Sequence, residues 1–316
     1  MRASELMAQP VHACFPHDDL QRAAQLMWEG DCGIVPVLDP ERHVIGVITD
    51  RDICMAAYTR GLRLWQMDVG STMAKVVHAV REDDPVESVE AAMRGAHVRR
   101  VPVLDGQRKL VGVLSIDDLA RARRMFGHRA DGGDEVVVRT IAEICQRGVR
   151  RPASPQARVA SDLMTRQVHY CRVSDRLDRV AGVMLDCDCG STPVVGDDGR
   201  TIGVVTDRNI CMAAYTRGQP LREIPVTVAA SRAAHSVQPD TPIGVVEAVM
   251  RMHRMRRLPV LDIGGNLVGF LSLADIVRNA RVPIEEDDAL GFEKVAATLE
   301  WVYRRDDALL KRAVGA

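Results

Sequence analysis

Gly46-Val-Ile-Thr-Asp-Arg-Asp-Ile-Cys-Met-Ala-Ala-Tyr-Thr-Arg-Gly61 returns 157 residues later as Gly203-Val-Val-Thr-Asp-Arg-Asn-Ile-Cys-Met-Ala-Ala-Tyr-Thr-Arg-Gly218, identical at 14 of 16 positions. The same offset carries His12 to His169, Cys14 to Cys171, Cys32 to Cys189, His78 to His235, Pro102 to Pro259 and Gly112 to Gly269. The chain is therefore a tandem duplication, and a period of this size has to be recognised before any local reading. Inside each half a weaker period of 66 residues relates Pro36 to Pro102 and Pro193 to Pro259, each set in a short apolar run, which makes four units.

Each unit reads alike. In the second, Val86, Val89, Ala92 and Met93 fall at helical spacing; Val101-Pro-Val-Leu-Asp105, a polar turn and Leu110-Val-Gly-Val-Leu114 then read as two short strands. A further helix begins near Ser115. The order helix, strand, strand, helix gives a small α/β unit whose helices cover one face of a short sheet. Such a unit buries too little surface to stand alone, so pairing is expected. The expected fold class is α/β, four units of a short sheet plus two helices in two pseudo-symmetric pairs forming a flat, two-fold disc.

The expected divisions are a first pair over 1–125 (units about 1–62 and 68–125), a helix and linker over 126–157, a second pair over 158–280 (units about 158–219 and 225–280), and a C-terminal helical tail over 281–316. Apolar Val137, Val138, Ile141 and Ile144 put a helix at Asp134 to Gln146, with a counterpart at Gly291 to Arg305. The basic, proline-containing stretch Arg147 to Pro155 reads as the linker between halves. Glu285 to Asp288 suit the positive end of the last helix, and Trp301 and Tyr303 suggest that this helix docks on the body or on a partner.

Composition narrows the function. With 42 Lys and Arg against 43 Asp and Glu, the net charge is -1, so no overall positive field draws nucleic acid or an anionic membrane. No apolar run reaches bilayer-spanning length and no signal-peptide core precedes the first unit, so a cytoplasmic protein is expected. Eight Cys without a CxxC pair form neither a disulfide framework nor a zinc site. The His pairs read as structural, and Met27, Met93, Met184 and Met250 as core filling. There is no Walker loop, no GxGxxG after a strand and no nucleophile motif, so a non-enzymatic protein without catalytic residues, metal or catalytic cofactor is expected.

One pattern recurs at the start of the second helix of every unit: Gly, two apolar residues, Thr or Ser, two variable residues, Asp or Asn. The copies are Gly46 with Thr49 and Asp52, Gly112 with Ser115 and Asp118, Gly203 with Thr206 and Asn209, and Gly269 with Ser272 and Asp275. A hydroxyl followed three residues later by a carboxylate is a capping box, and capping alone would explain that pair. The glycine, inside a strand, points instead to close approach by a ligand or another backbone. A helix N-terminus favours an anion, and a carboxylate accepts two hydrogen bonds from a vicinal diol. A nucleotide offers both groups.

These motifs make the chain similar to proteins of the CBS-domain family: it resembles four CBS domains in two tandem pairs over about four fifths of its length, an arrangement similar to the γ subunit of AMP-activated protein kinase. In that family the Gly-x-x-Thr/Ser-x-x-Asp/Asn pattern binds adenine nucleotides in clefts between paired domains. The resemblance implies ribose-binding roles for Thr49 and Asp52, Ser115 and Asp118, Thr206 and Asn209, and Ser272 and Asp275, the amide at Asn209 making a weaker third site. It also makes Arg99, Arg100, Arg256 and Arg257, just before the unit prolines, candidates for phosphate. Because neighbours on a strand point to opposite faces, at most one of each Arg pair should address a given cleft. Arg51 and Arg208, in the first helical turn, are alternative phosphate ligands, and Gly33 and Gly190 would leave room for a base.

The resulting expectation is a regulatory sensor that binds AMP, ADP, ATP or an NAD-like adenine nucleotide, S-adenosylmethionine and a cyclic dinucleotide remaining open. Binding would change the angle between pairs and signal to a regulated partner protein, the chain acting as a self-contained disc or a homodimer, with neither nucleic acid nor membrane as partner. Two alternatives stay open. One is a nucleotide-independent interaction scaffold, thiol-responsive through Cys32, Cys187 and Cys189; the other is nucleic-acid binding through Arg147 to Arg151 and Arg121 to Arg124, which the near-zero charge disfavours.

Overall fold

A computed structural model of the chain describes residues 1–125, 133–144, 157–231, 235–281 and 288–302. The linker Arg147 to Pro155, the acidic residues Glu285 to Asp287, Tyr303 and all later residues, and the side chains of Arg121 to Arg124 lie outside the described residues. The first unit contains α1 (Leu20–Glu29), β1 (Ile34–Leu38), β2 (Val44–Thr49) and α2 (Asp50–Arg60). The second contains β3 (Val80–Arg81), α3 (Val86–Ala96), β4 (Arg100–Leu104), β5 (Leu110–Ser115) and α4 (Ile116–Met125), and α5 (Gly133–Ile144) follows it. The third contains α6 (Ala160–Leu163), β6 (Cys171–Arg172), α7 (Leu177–Asp186), β7 (Ser191–Val195), β8 (Thr201–Thr206) and α8 (Asp207–Arg217). The fourth contains α9 (Val226–Ala229), α10 (Ile243–His253), β9 (Arg257–Leu261), β10 (Leu267–Ser272) and α11 (Leu273–Arg278), and is followed by α12 (Phe292–Val302).

The expected helix, strand, strand, helix order thus appears four times. The hairpins share one register: Pro36 pairs with Val47, Pro102 with Val113, Pro193 with Val204 and Pro259 with Phe270, each with a bulge near the end of the strand. The hairpin turns reach the left-handed region at Arg42, Arg108, Gly199 and Gly265, so the second half places glycine where the first accepts a strained arginine.

Each unit lends its leading segment to its tandem neighbour. Ala3 donates its N–H to Asp84 O, and Ala8 bridges to Val113, so residues 1–8 pack on the second unit. In return Met67 O accepts from Leu20 N, and Ala74 bridges to Val47 of the first unit. The second half repeats the exchange: Thr165 bridges to Phe270, and Ser231 N donates to Val204 O. Main-chain ladders that cross in both directions bind each tandem pair together.

The apolar cores run across the halves. One core joins the first and third units, from Leu20, Met27 and Ile53 to Leu177, Met184 and Ile210. The other joins the second and fourth, from Val89, Met93 and Leu114 to Val246, Met250 and Leu271. In the first core α2 packs directly on α8. Small buried residues, Ala56 and Ala57 on α2 and Ala213 and Ala214 on α8, permit close approach of the two helices. This is the most similar stretch of the two halves, packed against its own copy around a pseudo-two-fold. In the second core two additional helices intervene: α5 packs on α3, α4 and α11, and α12 packs on α10, α11 and α4. Their apolar stripes, Val137, Val138, Ile141 and Ile144 on α5 and Val295, Leu299 and Val302 on α12, are buried there.

Candidate functional site

At each motif the capping box forms. Asp52 Oδ2 accepts from Thr49 N at 2.8 Å and from Thr49 Oγ1 at 2.6 Å. Asp118 Oδ2 accepts from Ser115 N at 2.8 Å and also from Ser115 Oγ. Asn209 Oδ1 accepts from Thr206 N at 3.0 Å and Thr206 Oγ1 at 2.7 Å, and Asp275 Oδ2 from Ser272 N at 2.9 Å and Ser272 Oγ at 2.6 Å. One oxygen of each side chain is therefore taken by the helix. At Asn209 the other atom is an amide nitrogen, a donor unable to accept from a diol. Asp275 Oδ1 accepts from Arg278 Nη2.

The repeated glycines admit the chain itself. A Cβ at Gly112 would lie 2.3 Å from Met7 Sδ, at Gly46 2.5 Å from Met73 Sδ, at Gly269 2.2 Å from Met164 Sδ, and at Gly203 2.3 Å from Ser231 O. The approaching groups belong to the leading segments exchanged between tandem units. At Gly46, Gly112 and Gly269 the nearest group is a methionine side chain, and at Gly203 it is a backbone oxygen.

Ser115 and Asp118 line a cleft of about 380 Å³ between the first two units. Ala8, Pro10, Gly30, Gly33 and Ile34 form its apolar and small-residue wall, while Arg100, Arg208, Arg254 and Arg256 bring positive charge, with Asp31, Asp50 and Asp117 among them. Three of these arginines come from the second half, and Val302 at the end of α12 closes part of the wall. A smaller cavity of about 170 Å³ lies where all four units meet, lined by Arg99, Arg100, Arg208, Arg256 and Arg257 against Asp50 and Asp207. Thr206 and Ser272 also reach it. Asp50, Arg100, Arg208 and Arg256 line both spaces. Neither space is lined by Thr49 or Asp52.

The expectation that only one arginine of each adjacent pair addresses a given space holds at the cleft, where Arg100 and Arg256 appear without Arg99 and Arg257. It fails at the central cavity, which all four line. The reason is that β4 starts at Arg100 and β9 at Arg257, so Arg99 and Arg256 precede the strands and escape their alternation. Arg254 is a cleft residue outside the sequence-based set; it sits at the C-cap of α10 with a left-handed backbone, φ 50°.

Arg51 and Arg208 clamp the odd units together. Arg51 Nη1 donates to Cys189 O at 2.8 Å and to Asp207 Oδ2 at 3.2 Å, and its Nη2 donates to Asp188 Oδ1 at 3.0 Å. Arg208 Nη1 donates to Cys32 O at 2.6 Å and its Nη2 to Asp31 Oδ1 at 2.7 Å. Their guanidinium groups are thus engaged with the opposite odd unit, and Arg208 also lines both spaces. Burial raises the Asp207 carboxyl above its ordinary value although Arg51 opposes this, and Asp50 nearby adds to the rise. Asp207 Oδ1 is buried without a hydrogen-bond partner among the described residues.

No disulfide joins the cysteines among the described residues. Burial pushes Cys14 and Cys171 up to about 12, and Cys54 and Cys211 rise for the same reason. Cys187 also rises, through burial first and then its neighbours Cys189 and Asp186, the opposite of what a reactive thiolate requires. Among the described residues no group of three or more His, Cys, Asp or Glu could hold a metal, and no helix is long and apolar enough to cross a membrane.

The comparisons with known proteins agree with the four-fold repeat. The CBS domain model matches residues 3–58, 68–124, 160–215 and 222–281. YlbB of Bacillus subtilis is 34% identical over 116 residues, covering 36% of this chain and 77% of its own. Hypoxic response protein 1 of Mycobacterium tuberculosis is 30% identical over 119 residues, 38% of this chain and 82% of its own. The crystal structure of MJ1225 from Methanocaldococcus jannaschii, proposed as an archaeal homologue of γ-AMPK, superposes with a TM-score of 0.60 over 88% of this chain and 99% of its own at 16% identity. The first two relatives match a stretch the length of one tandem pair, whereas MJ1225 matches both pairs. The chain belongs to the CBS-domain family, with four CBS domains in a paired arrangement.

Proposed function

We propose that this protein is a non-enzymatic regulator that binds an adenine nucleotide in the Ser115 cleft and passes the occupancy to a partner protein. The observation that carries this reading is the sharing of Asp50, Arg100, Arg208 and Arg256 by the cleft and the central cavity. A nucleoside fits the cleft, with its ribose diol toward the Asp118 carboxylate and its base against Gly30, Gly33 and Ile34. Its phosphates then extend toward the centre, where five arginines face two aspartates. The cleft volume, about 380 Å³, lies in the ordinary range of small-molecule sites. Binding would hold the two halves in one relative arrangement, because the arginines come from both, and a ligand shifts an equilibrium only through such differential contacts.

The reading is tested by calorimetric titration of the full chain with AMP, ADP and ATP. Saturable binding that weakens about tenfold or more in Arg256→Ala supports it; no heat with any of the three overturns it. The four completed capping boxes favour a second reading, a scaffold indifferent to nucleotide. Partner capture of equal strength with and without saturating nucleotide would support the scaffold.

A further inference from the structure

Val302, at the end of α12, is 7% exposed and contributes to the wall of the Ser115 cleft. The helix reaches this place from the fourth unit, packing on α10 of that unit and on α4 and α5. At its contact with α10 it buries a polar trio. Thr298 Oγ1 donates to Glu247 Oε1 at 3.1 Å, and Arg251 Nη1 donates to Thr298 Oγ1 at 2.8 Å. Glu247 and Thr298 are fully buried. The groups facing Glu247 are Arg251 on α10 and Thr298 and Lys294 on α12. Burial outweighs all three and pushes the Glu247 carboxyl up to about 7. The first half lacks this trio: Glu90 and Arg94 occupy the matching positions on α3, but Ile141 stands where α12 has Thr298, and Arg94 Nε lies 3.7 Å from Glu143 Oε2.

We propose that α12 is a reporting strap, forming one wall of the ligand cleft through Val302 and latched to α10 through Glu247, Thr298 and Arg251, so that cleft occupancy and proton binding act on the same helix. A proton on Glu247 removes a buried charge and favours the docked helix. A ligand packed on Val302 favours the same docked position, and the coupling is reciprocal: proton binding tightens the ligand and the ligand tightens proton binding. The ligand half of this proposal rests on the nucleotide reading above; the proton half does not.

Trp301, beside Val302 and 42% exposed, supplies the readout. In the full chain carrying Trp28→Phe and Trp65→Phe it is the one remaining tryptophan. Its emission, followed from pH 5.5 to 8.5 without ligand, should titrate with a midpoint near 7, and Glu247→Gln should abolish the transition. Thr298→Val removes a hydrogen bond that favours the ionised form and should move the midpoint upward. An emission that does not change with pH, or a midpoint unmoved in both variants, overturns the latch. For the ligand half, saturating ATP should slow hydrogen exchange of residues 292–302 severalfold at pH 7.5, and Val302→Ala should weaken ATP severalfold. Calorimetric ATP binding with unchanged exchange in 292–302 sinks the strap and spares the nucleotide reading. Absence of calorimetric binding sinks that reading and the ligand half together, while the pH titration decides the latch separately.

Discussion

Gly30, Ile34, Val113 and Asp117 line the Ser115 cleft; the matching positions 157 residues on, in the half that carries Ser272, are Cys187, Ser191, Phe270 and Ala274. The surrounding frame is the same in both halves: register, bulge, capping box and exchanged leading segment all repeat. What the duplication altered is the lining. A cleft wall can change one side chain at a time because each substitution is felt locally, whereas the hairpin and the cap must satisfy their backbone groups in every copy. The lesson is that four intact motifs do not make four equal sites. Gly30 and Val113 line the Ser115 cleft, while the positions that match them 157 residues on carry the larger Cys187 and Phe270.

The largest expected difference between the two clefts follows from the lining, since Asp118 lines the Ser115 cleft and Asp275 lines neither space. Asp118→Ala should weaken nucleotide about a hundredfold, since hydrogen bonds to a charged acceptor contribute about 1.5–3 kcal/mol. Asp275→Ala should change affinity less than threefold. Both lose a helix cap, so both should lose about 1 kcal/mol of stability, which makes each the control for the other. Titration calorimetry with thermal melts reads the two effects separately, and equal affinity losses would end the distinction between the clefts. Next in size is an exchange of walls. Val113→Phe should weaken nucleotide about tenfold by filling the Ser115 cleft, and Phe270→Val should raise the stoichiometry if Phe270 is what closes the counterpart.

The repeated glycines sharpen the comparison through stability. Gly203→Ala should cost about 2–3 kcal/mol, because a Cβ there meets the backbone oxygen of Ser231 at 2.3 Å. Gly112→Ala meets the Met7 side chain, whose Sδ can turn aside while its Cβ, 2.8 Å from the new methyl, cannot, and should cost less, about 1–2 kcal/mol; chemical denaturation distinguishes the two. The smallest contrast is between the clamps. Arg51→Ala and Arg208→Ala should each cost about 1–2 kcal/mol, a shift of a few degrees in Tm. Only Arg208→Ala should also reduce nucleotide affinity, because Arg208 lines the cleft and Arg51 does not. An equal effect of both on binding would argue that they act through the interface alone.

Much of the architecture was legible because the repeat states it four times. The helix, strand, strand, helix order and the helix at 133–144 follow from periodicities a few residues long, whereas the pairing register around each proline comes from the structure. The motif hydroxyls and carboxylates were legible for the same reason. The composition of the cleft was not. Arg254 and Val302 reach Ser115 from far along the chain, and such long-range convergence leaves no local pattern in a sequence. The committed guanidinium groups of Arg51 and Arg208 were hidden likewise, since their acceptors, Cys189 O and Cys32 O, are backbone atoms of the other half. The sequence marks the glycines without saying what lies against them, and only the topology of the exchanged segments brings Met7, Met73, Met164 and Ser231 there.

The central claim is that the Ser115 cleft, completed by arginines from the second half, holds the nucleotide. Its most direct measurement is calorimetric titration of the full chain with ATP, repeated on Asp118→Ala and Asp275→Ala. The account predicts a saturable site that weakens about a hundredfold in the first variant and less than threefold in the second. Absence of binding, or a site that survives Asp118→Ala and disappears in Asp275→Ala, would contradict it.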